Sequence, residues 1–404
     1  MAALRSSTLL SLDPPAAGDV APVARAVDAS LRRAVAARAS DLHIEPCGDG
    51  TGRTRLRVDG ILQPGEPIER ALYAPLVSRV KLLAGLDIAN RRLPQDGRYS
   101  VVVEARNIDL RVSSIPTIDG EKIVIRLLDH HVALPRLDEL GMDATALAAY
   151  RRIAHAPWGF VVVSGPTGSG KTTTLYASIA ELDRNARSIC TVEDPIEARL
   201  PDVAQVQVNV RAGLTFPAAL RSFVRQDPDV IMIGEMRDDE TAAVGVSAAL
   251  AGQTVFATVH SNDASRTVDR LVELGVARHS LAAALTAVVA QRLVRTLCHA
   301  CRRREPVPPD LRKTFSAPIA SWFVAEGCAA CAGSGYAGRT GVFEVLEADD
   351  RIREAIAAGV SSAALAHLAA EYGHRSLFSD AAAKVAAGTT SFTEIERVVG
   401  WWVR

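Results

Sequence analysis

Apolar residues recur at Val23, Val27, Leu31 and Val35, every fourth position, and lay one helical stripe near the start of the chain. The period then drops to two. In Arg53-Thr54-Arg55-Leu56-Arg57-Val58 the apolar side chains share one face of a strand and three arginines the other, and Asp59-Gly60 supplies a hairpin turn. A helical segment follows over roughly 67–84, then strand patterns at Tyr99–Val103, Ile108–Val112 and Ile123–Leu127. Residues 20–130 therefore read as a mixed α/β domain, after an Ala-, Ser- and Pro-rich start, 1–19, expected to be flexible.

From residue 131 apolar strands alternate with helices, as a parallel sheet requires. The strands are expected at Phe160–Val163, Ser188–Val192, Val230–Ile233 and Thr254–Thr258, and the helices at 171–183, 217–226, 239–251 and 278–293. This second domain is drawn as 131–294. A cysteine-bearing segment occupies 295–345, and short Ala-rich helices fill 346–404, ending in apolar Trp401-Trp402-Val403. The chain shows no internal repeat and no low-complexity tract.

Composition narrows the class. With 48% apolar and 23% charged residues over 404 positions the chain is globular, with room for several domains. Lys+Arg and Asp+Glu both number 46, so no global positive field draws it to DNA or acidic lipid, and no nucleic-acid partner is expected. Leu9, Leu10 and Leu12 are too short an apolar run for a secretory signal, and nowhere do eighteen apolar residues run together to span a bilayer. Four of the six cysteines fall in two C-x-x-C pairs, which reads as metal binding in a reducing cytoplasm more readily than as disulfides.

Gly165-Pro166-Thr167-Gly168-Ser169-Gly170-Lys171-Thr172 fits G-x-x-x-x-G-K-[ST] at every fixed position. An apolar strand precedes it, and Thr172-Thr173-Thr174-Leu175-Tyr176 can open a helix, so the context matches too. Glycines let backbone N–H groups curl around phosphate oxygens, and the helix N-terminus adds favourable partial charge. Lys171 is expected to bridge the β- and γ-phosphates of ATP, and the Thr172 hydroxyl to bind Mg²⁺. An ordinary Gly-rich turn would share the glycines but has no need of the Lys-Thr pair.

Such a loop works with carboxylates at neighbouring strand ends. One strand is followed by Glu193-Asp194-Pro195-Ile196-Glu197 and another by Gly234-Glu235. Gly234 stands where many P-loop enzymes carry a metal-binding Asp, so metal support falls to the first segment, through water, with Glu193 and Glu197 as its candidate catalytic carboxylates. Glu235 is the candidate for activating the attacking water. His260, just past an apolar strand, can reach a phosphate, and a histidine there suits sensing of charge. Each could instead be an ordinary loop residue, the reading weighed most for Glu197.

Together these segments resemble the type II secretion and type IV pilus assembly ATPases, the general secretion pathway E-like traffic ATPases. In that family a P-loop, an Asp box, a Walker B motif with Gly-Glu and a His box occur in this order. Here they match Gly165–Thr172, Thr191–Glu197, Asp229–Glu235 and Gly252–Ala264, with Thr173 extending the nucleotide contacts. Further matches are Ala39–Pro46, Arg57–Gly60, Leu93–Arg98, Gly120–Lys122, Gln291–Leu293 and Gly338–Gly341, so the resemblance covers roughly 20–390.

The resemblance implies a RecA-like P-loop core with a parallel-rich sheet, preceded by a smaller PAS-like α/β domain and followed by a zinc-binding insert and C-terminal helices. It implies a homo-hexamer in which first-domain arginines complete a neighbour's site, and Arg98, Arg111 and Arg126 match the family's contexts. It further implies a cytoplasmic ATP hydrolase, peripheral at the inner membrane and without a membrane span. Its partners would be the inner-membrane platform and cytoplasmic-domain proteins of a secretion or pilus machine. Two departures stand out. The first His-box position, usually His, is Gln253, and little precedes residue 20, where longer members carry a docking domain.

Cys298, Cys301, Cys328 and Cys331 can surround one Zn²⁺, leaving no position open for water, so the metal is expected to be structural. Within the family this insert favours assembly motors over retraction motors. The leading function is ATP-driven pseudopilus assembly for type II secretion. Extension of a type IV or DNA-uptake pilus is the alternative, and a nucleotide-binding scaffold that hydrolyses little, or a DNA translocase, ranks lower.

Overall fold

The computed structural model describes residues 10–11, 21–103, 105–129, 134–309, 311–312, 315 and 319–400. Most of the 1–19 start and the Trp401-Trp402-Val403 end lie outside the described residues. The chain divides into two compact units, 1–133 and 134–404.

The first unit runs β1 (Leu10–Ser11), α1 (Pro22–Ala36), β2 (Asp41–Pro46), β3 (Gly52–Val58), β4 (Ile61–Ile68), α2 (Arg70–Leu83), β5 (Gln95–Val103), β6 (Arg106–Thr117) and β7 (Gly120–Asp129). They form one sheet in the order β1-β5-β6-β7-β2-β3-β4, antiparallel except for β1 on β5. The periodicities explain the packing. Val27, Leu31 and Val35 of α1 and Leu76, Val77 and Val80 of α2 share a core with Leu42, Ile44, Leu110, Ile123 and Ile125. Strand alternation then turns Asp41, His43 and Glu45 to the opposite, polar face. The β3–β4 hairpin closes on Asp59 and Gly60 at φ of 49° and 82°, both positive as the tightest hairpin turn demands.

The second unit runs α3 (Ala144–Ala154), β8 (Gly159–Ser164), α4 (Lys171–Glu181), β9 (Ile189–Glu193), β10 (Ala204–Gln207), α5 (Phe216–Phe223), β11 (Val230–Ile233), α6 (Asp239–Leu250), β12 (Thr254–Val259), α7 (Ala264–Glu273), α8 (Arg278–Ala284) and β13 (Leu285–Leu297). After the two-stranded sheet of β14 (Arg303–Pro306) and β15 (Ser321–Val324) come β16 (Tyr336–Glu347), α9 (Asp350–Ala358), α10 (Ser362–Glu371), α11 (Leu377–Ala386) and α12 (Phe392–Val398). The main sheet has the order β10-β9-β11-β12-β8-β13-β16, parallel but for β16. Alternate strand residues feed two cores. Val161, Val163 and Phe256 face α3 and α4, while Val162, Val255 and Ala257 face α5 to α8 and the C-terminal helices.

The helix expected over 278–293 is a correction. Only Arg278–Ala284 is helical, and Leu285–Leu297 is a strand between β8 and β16. A strand covered on both faces reads as an unbroken apolar run, so nothing in its period separates it from a buried helix. The boundaries drawn after 294 and 345 fall inside β13 and β16, and the cysteine segment is an excursion between those two paired strands.

Candidate active site

Parallel register places several strand ends along one edge of the sheet. Ser164 lies beside Val259 and Ala290, and Ile233 beside Val192 and Ala257. The segments that leave these ends carry the phosphate-binding loop, Glu193, Glu235 and His260, in the crevice where open α/β sheets bind ligands.

Gly165–Thr172 links β8 to α4. At Gly165, φ is 153°, and a Cβ would sit 2.5 Å from both Gln291 O and Ser169 Oγ. At Gly170, φ is 89°, and a Cβ would sit 2.8 Å from Gln291 Nε2. Both positions therefore demand glycine. Pro166, Thr167 and Gly168 are exposed at the tip, whereas Ser169 is buried. Lys171 Nζ arches back to donate to the carbonyls of Gly165 and Pro166, at 2.8 and 3.1 Å. Burial pushes its pKa down to about 8, against the charges of Glu235 and Glu197. Thr172 and Thr173 lie half-buried in the first turn of α4, and buried Thr174 donates to Gln291 Oε1 at 2.7 Å.

Glu235 faces His260 and Arg237. His260 Nε2 lies 2.9 Å from Oε1, and Arg237 Nη2 lies 2.6 Å from Oε2. Burial works to raise the Glu235 pKa, but the Arg237 hydrogen bond and the charges of Arg237, His260 and Lys171 outweigh it and hold the carboxyl below its ordinary value. Gly234 keeps two chains close, since a Cβ there would meet Val192 O at 3.1 Å and Glu193 Cα at 3.2 Å. An Asp would have to push those strands apart.

Glu193 is buried, and both its oxygens are engaged. Thr191 Oγ1 and Gln205 Nε2 donate to Oε1 at 2.6 and 3.1 Å, and the Tyr176 hydroxyl donates to Oε2. The same hydroxyl accepts from the Glu197 and Ala198 amides at 3.2 and 3.4 Å, tying the segment after β9 to α4. A cleft of about 630 Å³ opens beside the loop, lined in part by Pro166, Thr167, His260, Asn262 and Arg266.

In the first unit, Arg98, Arg111 and Arg126 stand directly opposite one another on β5, β6 and β7. They form one row on the polar face, all three exposed. Arg126 Nε pairs with Asp41 Oδ1 at 3.1 Å, while no described side chain forms an ion pair with Arg98 or Arg111. The sequence offered the three residues but not this alignment, which depends on pairing between distant segments.

The four cysteine sulfurs lie within 4.8 Å of one another and could hold a metal ion. Cys298–Cys328, Cys301–Cys331 and Cys328–Cys331 separations are 4.0, 3.8 and 3.8 Å. A tetrahedron with metal–sulfur bonds of ~2.3 Å has edges of roughly 3.8 Å, so these three separations suit a Zn²⁺ site. The module also anchors the C-terminal helices. Leu297 N donates to Thr389 O at 2.9 Å, Arg302 Nη1 to Gly388 O at 2.7 Å, and Trp322 stacks on Phe392 with centroids 5.1 Å apart.

Gln253 lies at the other end of β12 from His260, where its backbone carbonyl accepts from Gly159 N at 3.1 Å. The intervening strand separates the two by roughly 20 Å. The departure at the first His-box position therefore does not touch the phosphate-binding edge. Gln291 and Arg292, by contrast, are brought against the loop by β13, and their motif gave no sign of it while the segment read as a helix.

The chain matches the family described as type II/IV secretion system protein over residues 16–397. It is 47% identical over 380 residues to the type II secretion system protein HxcR of Pseudomonas aeruginosa, covering 94% of this chain and 78% of that one. It is 42% identical over 391 residues to the type IV pilus assembly ATPase PilB of Myxococcus xanthus, covering 94% and 68%. In fold it is similar to the ATPase DotB of Legionella pneumophila, with TM-score 0.67, 21% identity and 96% and 98% of the two chains covered. It is also similar to the pilus retraction motor PilT with bound ADP, with TM-score 0.61, 22% identity and 94% and 97% covered.

Proposed function

This chain belongs to the type II/IV secretion system protein family and is an ATP hydrolase of that family, and we propose that it drives pseudopilus assembly for type II secretion. The observation that carries this reading is the convergence of the Lys171 loop, Glu235 and His260 at one sheet edge. Identity to the pilus assembly ATPase favours pilus extension as the second reading. Among the described residues no helix is long and apolar enough to cross a membrane. That is compatible with work at the cytoplasmic side of the inner membrane, on the platform proteins of such a machine.

In this reading the amides of Gly165–Thr173 cradle the ATP phosphates at the start of α4, and Lys171 supplies the loop's mobile cation. Thr172 Oγ1 and the nearby carboxylates form an all-oxygen set suited to Mg²⁺, which when bound offsets charge on the β- and γ-oxygens. Glu235, held ionised by Arg237 and His260, accepts a hydrogen bond from the attacking water and aims it. His260 senses the γ-phosphate beside it. Glu193, with both oxygens occupied, acts by fixing Tyr176 and hence the segment bearing Glu197.

Six copies form the ring, and the row of Arg98, Arg111 and Arg126 faces a neighbour's nucleotide, where guanidinium forks offset transition-state charge. Phosphate release per chain should then climb steeply as protein concentration rises through ring assembly. Specific activity that stays flat from monomer to ring, measured beside size-exclusion profiles, would speak against a shared site.

Cys298, Cys301, Cys328 and Cys331 hold one structural Zn²⁺ that closes the excursion between β13 and β16. Metal analysis should give about one zinc per chain. Cys298→Ser should lower the melting temperature by several degrees through the C-terminal helices it helps anchor, and leave nucleotide affinity unchanged. Zinc-free protein that melts with the wild type would refute the assignment.

A further inference from the structure

One buried cation near the phosphate-binding edge has no part in the chemistry above. Arg292 is 8% exposed, and no described carboxylate forms an ion pair with it. Its guanidinium instead donates to two main-chain carbonyls. Nη2 reaches Asn262 O at 2.7 Å, two residues beyond His260, and Nη1 reaches Gln291 O at 3.0 Å. That second carbonyl is the one against which Gly165 packs, with room for no Cβ. Arg292 thus joins the loop that carries His260 to the strand that backs the phosphate loop.

Burying a guanidinium on neutral acceptors is costly, and only a rigid fork can serve two carbonyls on separate segments at once. One further contact stitches the same segments, and a second fixes the start of α7. Thr267 Oγ1 donates to Ser164 Oγ at 2.8 Å, immediately before the phosphate loop, and Asp263 caps α7 by accepting from Arg266 N at 2.7 Å. Asp263 and Glu344 lie near enough to support the Arg292 charge, although burial lowers its pKa overall. Arg292 in turn adds to the depression of the Lys171 pKa, which puts it within electrostatic range of the loop's cation.

We infer that Arg292 is a positioning residue for hydrolysis, fixing His260 against Glu235 by clamping the His260 loop to the phosphate loop. The inference rests on Glu235 and His260 being the hydrolytic pair proposed above. Substitution should slow turnover while leaving nucleotide binding intact, since a displacement of about 1 Å at a reacting group can cost on the order of 10²-fold.

The test is a cycle on the full-length protein: wild type, Arg292→Gln, Arg292→Lys, His260→Ala and the Arg292→Gln/His260→Ala double variant. Turnover and KM for ATP are read with affinity for a fluorescent ADP analogue. Arg292→Gln should lower kcat about 10- to 100-fold with ADP affinity within about threefold of wild type. Arg292→Lys, with the charge but not the fork, should fall between. In the His260→Ala background, Arg292→Gln should cost less than about twofold more, because its effect passes through the missing imidazole. Independent, multiplying losses would overturn the inference, as would ADP affinity that falls in step with kcat. Should Arg292→Gln not fold, Arg292→Lys carries the same cycle, and full activity in Arg292→Lys would also overturn it. Absence of turnover in the wild type would remove the hydrolytic reading instead, a result seen before any variant is compared.

Discussion

Glu235→Gln should bind ATP as tightly as the wild type and hydrolyse it on the order of 10²–10⁴ times more slowly, the range expected when a positioned acid–base group is lost. The amide keeps the size of the carboxylate and can still accept a hydrogen bond from His260, so the loop and its lysine stay as they are. What it lacks is the negative charge that polarises water between Arg237 and His260. Lys171→Ala should behave differently. It removes the cation that arches over the loop at 2.8 and 3.1 Å from the Gly165 and Pro166 carbonyls, and both affinity and turnover should fall together. Titrating the two variants with a fluorescent nucleotide beside a phosphate-release assay separates the roles. Wild-type turnover in Glu235→Gln would remove Glu235 from the chemistry.

The second large effect belongs to the arginine row. Arg111 is its centre, flanked by Arg98 and Arg126, and unlike Arg126 it has no described acidic partner. If it completes a neighbour's site, Arg111→Ala should lower turnover by a large factor, since an arginine supplied in trans contributes on the order of 10³–10⁵ in other P-loop enzymes. ATP binding to the second unit should survive. The decisive measurement mixes Lys171→Ala protein with Arg111→Ala protein. Some interfaces in mixed rings then join an intact phosphate loop to an intact arginine, and activity should partly return. Mixing confirmed by differently labelled chains, with no recovery, would leave the row as a feature of the sheet and not of the reaction.

How much of this was readable in the chain follows from how local each feature is. The phosphate loop is eight consecutive residues whose three glycines all take positive φ, at 153°, 78° and 89°, so its pattern survives in one dimension. The Asp59-Gly60 hairpin is legible for the same reason. β13 is not, because a strand buried on both faces discards the alternation that would mark it. With that strand read as a helix, Gln291 and Arg292 could not be seen beside Gly165. Gln253 shows the reverse error: a motif binds it to His260 in sequence, while the length of β12 holds the two at opposite ends. The alignment of Arg98, Arg111 and Arg126 depends on register between three strands, which no window of sequence contains.

That alignment has a consequence for the stability of the first unit. Like charges set directly across a sheet repel, and a threonine or valine at Arg111 would suit a central strand better on every local count. A first unit built for stability alone would therefore not favour the row. If the row completes a neighbour's site, activity and firmness of folding pull in opposite directions at Arg111. A substitution that firms up the first unit on this face should therefore be judged by turnover as well as by melting temperature.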